Sequence, residues 1–434
     1  KPSRGPRRPR ARPPREIPML ARWLRGGARG QACRRFSSAA GQRVVWAWNE
    51  FDPLEEVIVG IADGSAVPPD EPGHMSKVWH LPGTIADMGK MRPADKVQKA
   101  GAELDNFAAV LEARGITVRR PAKMPNTAVT APLWESPVMN GWTCPRDTLL
   151  VVGNEIIEAP LCWRSRAYEK FAYRHILADY HARDPDFLWS SAPHPSIPDE
   201  LFRPGYNEPG MTMERRLEQM ARREFVTVDG VEPVFDAADA IRCGRDVFVL
   251  HSHTCNVLGF EWLKRHLALR GVRTHLVTMP TVHNPSHIDA SIMPLRPPVG
   301  NERGVMLVAP PVADSPMVGL FAENRWDILR CPEPDDWMSR DPDYKGKSSK
   351  WIAINVLALD NETVVVAEHD EALIKALEER HFKCVAIPFK NVIEFGGGIH
   401  CGTQDVRRRG KCEDYFPTLR SSDMTSDEQL RSFE

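Results

Sequence analysis

The feature that most constrains the fold is a small unit that recurs along the chain. Its clearest form is "WIAINVLALDNETVVVAEHDEALIKALEERHFKCVAIPF", residues 351–389. Two β-branched runs meet at Asp360-Asn361, a helix follows with Leu373, Ile374 and Leu377 facing inward, and a third strand ends near Pro388. "DTLLVVGNEIIEAP" (147–160) reads as two strands about a Gly153-Asn154 turn. "RDVFVLHSHTCNVLGFEWLKRHLALRGVRTHLVTMP" (245–280) reads as strand, helix, Gly271 and strand. Nearer the start, "NEFDPLEEVIVGIADG" (49–64) holds a strand, and Leu104, Phe107, Ala108 and Leu111 fall at helical spacing. Gly115 closes that helix and "ITVRRP" (116–121) returns as a strand. No single unit of this size can bury its apolar face. Stacked or radially arranged units can. The units share a pattern without sequence identity, and the expectation is an α/β fold of repeated strand–strand–helix–strand units.

Charge divides the chain. Its formal net charge is −1, yet residues 1–40 carry eleven arginines and one lysine against the single acid Glu16. From Met19 the sequence "MLARWLRGGARGQACRRFSSAAGQR" is arginine-rich and serine-bearing, with no acid, and places Leu20, Trp23 and Leu24 on one helical face. That composition reads as a mitochondrial transit peptide, with a basic disordered tail as the alternative. Residues 1–42 are therefore set apart from a folded domain over 43–412, with 413–434 as a polar tail.

Over the whole chain 42% of residues are hydrophobic and 26% charged, an ordinary globular mixture. Apolar runs are strand-sized, such as "VFVL" and "TVVVA", far short of the ~20 residues of a membrane span. Nine scattered cysteines without a C-x-x-C pair argue against a disulfide framework and against a zinc knuckle. "HSHTC" (251–255) could align His251, His253 and Cys255 on one strand face as zinc ligands, but no fourth ligand stands at matching spacing. "RRRG" (407–410) is too short, and too poor in aromatics, to read as a nucleic-acid site. No metal and no cofactor is expected.

Chemistry concentrates in four short stretches, each with acids or histidine beside turn residues. They are "CPRD" (144–147), "EPVFDAADAIRCGRD" (232–246), "NPSHIDASIMP" (284–294) and "EFGGGIHCGTQDVRRRG" (394–410). Each also has a plain structural reading. Asp147 could turn the chain, Asp236 and Asp239 could open a helix, His287 could be a satisfied loop histidine, and Cys401 a small buried residue beside a turn. Together they fit one chemistry. A cysteine nucleophile needs a histidine partner, that histidine needs an acid, and surplus carboxylates suit a planar cation. The set points to attack on a guanidinium or amidinium carbon.

With these stretches in place, the chain resembles the amidinotransferases. The resemblance rests on "FDPLEEVIVG", "PRD", "VVGNEIIEAPLCWRSR", "FDAADAIRCGRD", "LGFEWLKRHL", "HIDAS", "SSKWIAINVL" and "GGGIHCGTQDVRRRG", spread in order over roughly 48–410. It implies a five-bladed α/β propeller, the pentein fold, and a ping-pong transfer of the amidino group of L-arginine through an amidino-cysteine. Glycine is the expected acceptor, which would give guanidinoacetate and ornithine, the opening step of creatine formation. By the same resemblance Cys401 is the nucleophile, His287 the general acid/base and Asp236 its paired acid. Asp147 and Asp289 match guanidinium-binding carboxylates, and Ser348 and Ser349 match substrate-contacting serines. A homodimer is implied too. Two departures bear on the acceptor. "GVMLVAPPVADSP" (304–316) lacks the arginine that holds a substrate carboxylate in the glycine-specific enzymes, leaving Arg296 and Arg303 as the nearby arginines. Gly402 and Gln404 beside the cysteine resemble amidinotransferases with other acceptors. The remaining alternative within the fold is a guanidine hydrolase of the arginine deiminase or dimethylargininase kind.

Overall fold

The computed structural model describes residues 43–74, 85–206, 211–279, 287–345 and 348–419. The basic head at 1–42, with its expected start at Met19, lies outside the described residues, as does 420–434.

Strand β1 (Leu54–Val59) is followed by helix α1 (Ala94–Glu112), which crosses over to the parallel strand β2 (Thr117–Arg119). The same crossover then recurs four times, each with an antiparallel hairpin in front. β3 (Leu149–Val152) pairs with β4 (Glu155–Glu158), and α2 (Arg174–Arg183) leads to β5 (Leu188–Ser191). β6 (Ala240–Cys243), β7 (Asp246–Leu250), α3 (Val257–Ala268) and β8 (Arg273–Val277) form the next unit. β9 (Ile292–Arg296), β10 (Gly304–Val308), α4 (Pro316–Glu323) and β11 (Trp326–Arg330) form the fourth. β12 (Leu357–Ala358), β13 (Thr363–Ala367), α5 (Glu371–Glu378) and β14 (Lys383–Ile387) form the fifth. The last strand, β15 (Thr403–Arg408), returns to pair antiparallel with β1 and supplies the hairpin strand that the first unit lacks.

The core explains why the units close on one another. Ile58 and Val406 of the first sheet pack with Leu149, Val151 and Ile156 of the second. Leu150 and Ile157 pack with Val247, Val249 and Leu276 of the third, under Phe260 and Leu263 of α3. Ile241, Phe248 and Val277 pack with Ile292, Leu295 and Met306 of the fourth, and the same cluster reaches Val364 and Val366 of the fifth. Leu357, Val365 and Ile387 then pack with Val57, Val59 and the Leu104, Phe107 and Leu111 stripe of α1. Five mixed sheets thus join in a ring, the five-bladed α/β propeller that the resemblance implied. Packing continues past 412, because Phe416 is fully buried against Phe248 and Phe321.

At the centre of the ring lie charges instead of apolar side chains. Arg242 of β6 donates to both carboxylate oxygens of Glu50 (2.8 and 2.6 Å), to Asp405 of β15 (2.6 Å) and to the Val151 carbonyl of β3 (2.9 Å). Arg146 pairs with Asp405 at 2.6 Å, and Arg408 donates to Asp405 (2.8 Å) and to the Ala358 carbonyl of β12 (3.0 Å). Asp405 and Glu50 are both held below the usual carboxylate range, because the neighbouring arginines outweigh the cost of burial. Removing one member leaves buried charge uncompensated, which costs about 3–5 kcal/mol. Arg242→Met should therefore lower unfolding free energy by about that amount in urea titrations. A loss within experimental error would show that the network does not hold the ring.

Candidate active site

All five carried-over acid, base and nucleophile residues stand in one position of the repeat. Each lies in the loop just ahead of a hairpin's first strand: Asp147 before β3, Asp236 before β6, His287 and Asp289 before β9, and Cys401 before β15. Because those strands line the centre of the ring, the loops converge at one end of it. The fifth blade contributes Asn355, before β12.

Local chemistry fixes each loop. The Cys401 amide donates to the Asn355 side-chain oxygen at 2.9 Å, and the His400 amide to the Asn355 carbonyl at 3.0 Å. A side chain at Gly397 would strike Cys401 and Cys144, and one at Gly398 would strike Asn355, so the glycines ahead of the cysteine admit this close approach. Asp236 and Asp239 cap the turn Ala237–Asp239 reciprocally. The helix-start reading of that acid pair is therefore met in a single turn, and Asp239 does more. It accepts hydrogen bonds from Ser252 and Thr254 (both 2.8 Å) and from the His287 amide (3.1 Å), which steadies His287 at φ +59°.

The side chains then meet. One polar atom each of Cys401, His287 and Asp147 falls within a cluster 4.8 Å across. His287 Nε2 lies 2.9 Å from Asp236 Oδ2, and its Nδ1 lies 3.8 Å from Asp147 Oδ1. The Cys401 thiol donates to Asp289 Oδ2 at 3.6 Å, and the same oxygen lies 2.7 Å from His400 Nδ1. Arg166 braces the other side, donating to Asp147 (2.9 Å) and to both oxygens of Glu169. Among the described residues, one carboxylate oxygen of each of Asp147, Asp236 and Asp289 is buried without a hydrogen-bond partner. Three such acceptors around a thiol suit a planar, donor-rich cation.

The electrostatics follow from burial and sign. Burial raises the Cys401 thiol well above its ordinary value, and Asp289 and Asp147 raise it further. Burial opposes the His287 cation, but Asp147, Asp236 and Asp239 outweigh it and raise the imidazole to about 10. Asp289 is lowered despite burial, chiefly by its hydrogen bond with His400, whereas burial raises Asp147. At neutral pH the cluster holds a protonated thiol, an imidazolium and an ionised Asp289.

Several residues carried no signal of their role. Asn355, Arg166, Asp239 and His400 lie within "SSKWIAINVL", "WRSR", "FDAAD" and "HCG", yet their residue types assign them no catalytic part, and Glu169 lies outside every quoted stretch. Ser348 is half-buried and Ser349 exposed, and the Ser349 hydroxyl accepts from the Trp351 amide. Among the described contacts neither serine touches the cysteine cluster. The histidines of "HSHTC" have other partners: His251 faces Asp229, and His253 takes the Val226 amide and faces Tyr206. Its hydroxyl residues, Ser252 and Thr254, serve the site instead. Arg296 donates to the Arg380 carbonyl and stacks on Phe382, and Arg303 pairs with Asp327 at the surface.

A buried cysteine thus stands among buried carboxylates at one end of a ring of five blades. No family model matches the chain. It is 38% identical over 393 residues to the mitochondrial glycine amidinotransferase of Gallus gallus, covering 88% of this chain and 86% of that one. It is 37% identical over 384 residues to the L-arginine:L-lysine amidinotransferase of Pseudomonas savastanoi pv. phaseolicola, covering 86% and 96%. Among solved structures, an amidinotransferase of the saxitoxin biosynthetic pathway from Microseira wollei superposes with a TM-score of 0.73 at 36% identity, over 86% of this chain and 99% of that one. The chain belongs to the amidinotransferase family, and it is a transferase.

The His287 charge can be read directly. Its folded value, about 10, exceeds its unfolded value, so the stability it contributes is present below the ordinary histidine range and is lost as pH rises through about 10. Imidazole NMR should show His287 still protonated at pH 8. Asp236→Asn should move its titration down towards the ordinary histidine value, and a wild-type midpoint near 6.5 would contradict this account.

Proposed function

We propose that this enzyme takes the amidino group from L-arginine through Cys401 and passes it to glycine, giving ornithine and guanidinoacetate. The observation that carries the reading is the buried thiol of Cys401 with unsatisfied oxygens of Asp147 and Asp289 on either hand.

A guanidinium seated between those carboxylates cancels the negative charge that keeps the proton on sulfur. The thiol then releases its proton to solvent on substrate binding, and Sγ attacks the guanidino carbon. His287, held cationic by Asp147 and Asp236, gives its proton to the departing nitrogen, and ornithine leaves. The neutral imidazole that remains takes a proton from the glycine amine as that amine attacks the amidino-cysteine. Collapse of the adduct expels the sulfur as a thiolate, and once guanidinoacetate leaves, the thiolate takes a proton back from solvent and restores the free enzyme. Asp236 fixes the tautomer and orientation of His287, and Asn355 positions Cys401 through its amide.

Glycine as acceptor is supported by the similarity to vertebrate enzymes named glycine amidinotransferase, mitochondrial. The lysine-named relative of similar identity is the reason the acceptor has to be measured. Those vertebrate names and the basic head from Met19 also support a mitochondrial location. Among the described residues no helix is long and apolar enough to cross a membrane.

With guanidino-labelled L-arginine and glycine, labelled guanidinoacetate and ornithine are expected. Arginine alone should leave a labelled adduct on Cys401 detectable by mass spectrometry. Cys401→Ala should lower turnover by at least about 10⁴-fold while the protein stays folded. Ornithine without guanidinoacetate would replace glycine by another acceptor, and citrulline in place of ornithine would make the enzyme a hydrolase.

A further inference from the structure

The buried arginines around the site are matched to acids, as with Arg166 on Glu169 and Asp147, and Arg242 on Glu50 and Asp405. Arg92 is not. It sits between β1 and α1, outside the repeating blade pattern, on a segment whose amide donates to the Ser65 carbonyl. Its guanidinium stacks on Phe395, 4.4 Å from the ring centre. Its Nε is buried without a hydrogen-bond partner, and it forms no ion pair among the described residues. Burial pulls the group down to about 10 despite the charges of Glu394, Asp87 and Cys144. An arginine in that position carries an unmet demand for an anion.

Its neighbours say where the anion comes from. The Phe395 carbonyl accepts from Thr143 at 3.4 Å, and Cys144 follows Thr143. Two residues beyond Phe395, Gly397 lies against the side chains of both Cys144 and Cys401. Arg92 is thus linked to the surroundings of the nucleophile through Phe395 and Gly397, and it feels the charge of Cys144. We propose that Arg92 binds the α-carboxylate of the amidino donor and so selects donors bearing an acid at the end opposite the guanidino group. This rests on Cys401 being the nucleophile for L-arginine.

The geometry favours donor over acceptor. With its guanidinium anchored at Cys401, L-arginine projects its carboxylate three methylenes and the α-carbon away. Glycine must bring its amine to the same carbon, which leaves its own carboxylate one carbon from the attacking nitrogen, much nearer Cys401 than the donor's. The stack on Phe395 occupies the flat face of the guanidinium and leaves its edge for a paired contact with a carboxylate. The arginines near β9 and β10 cannot substitute, being bonded to Arg380 and Asp327.

The test compares L-arginine with agmatine, its decarboxylated analogue, in the full chain with glycine as acceptor. Wild type should favour arginine by about a hundredfold or more in kcat/KM. Arg92→Gln should raise KM for arginine and leave agmatine within about threefold of wild type, so that the preference collapses. Arg92→Lys should recover part of it, and KM for glycine should hold throughout. Melting curves establish that the variants fold. Equal losses on both donors would assign Arg92 a purely structural role and overturn the proposal, as would an unchanged preference or an effect confined to glycine. A wild type that releases no ornithine from arginine would overturn the functional reading, and this inference with it.

Discussion

The structure depends on the buried cluster of Glu50, Arg146, Arg242, Asp405 and Arg408 at the centre of the ring. A buried ion pair repays its desolvation only when it is well hydrogen-bonded, and apolar replacements often stabilise as well or better. What such a cluster does supply here is a condition on closure. Asp405 and Arg408 are on β15, the strand that completes the first blade from the far end of the chain. Their partners reach into the second, third and fifth blades through Arg146, Arg242 and the Ala358 carbonyl. Charge satisfaction and ring closure are thus a single event. A ring closed one residue out of register would leave arginines and acids unpaired in a water-poor interior.

The same cluster forms the floor of the active site. His400 has Glu50 on one ring nitrogen and Asp289 on the other, at 3.4 and 2.7 Å. Asp289 then meets the thiol. The carboxylates above this floor act with opposite effect on two neighbours: they keep the proton on Cys401 and the charge on His287. On the proposed mechanism the resting site therefore pairs a protonated thiol with a ready acid; a cationic substrate reverses the first condition, and Asp236 and Asp239 still favour the charge on His287 after Asp147 has turned to the substrate.

The sequence made the repeat legible where hairpins were short and strands β-branched, as around Gly153-Asn154 and in residues 351–389. The fourth blade escaped notice because its signals conflict. β9 contains Pro294, its hairpin loop carries Pro297 and Pro298, and α4 is only eight residues long. In the third blade the strand Ala240–Cys243 hid behind the acid pair that precedes it. The left-handed residue that ends the helix is Gly115 or Gly271 in two blades but Arg325 and His381 in two others, so the shared geometry left no shared letter. Cys401, His287, Asp147, Asp236 and Asp289 were legible as candidates because their types are chemically distinctive, and the structure brings them together. Asn355 and Arg166 were not, since an asparagine that aims an amide and an arginine that braces two acids look like any others until the chain is folded. Ser348 and Ser349 were legible only through the motif, and the described contact of Ser349 is a cap on the turn that follows it.

Chemistry and selection occupy different parts of the fold. The reacting groups stand on the short loops ahead of the hairpins' first strands, where a displacement would disturb the central charge cluster as well. Arg92 belongs to the long connection between β1 and α1, whose described residues carry no strand of the repeat. Relatives of similar identity are named for glycine and for L-lysine, so selectivity differs among proteins that share most of this chain. A ring whose chemistry is fixed by its own closure tolerates that divergence. On the proposal made for Arg92, a residue of a connection selects the molecule held against Cys401, while the thiol, the imidazolium and the carboxylates are placed by the segments ahead of the first strands.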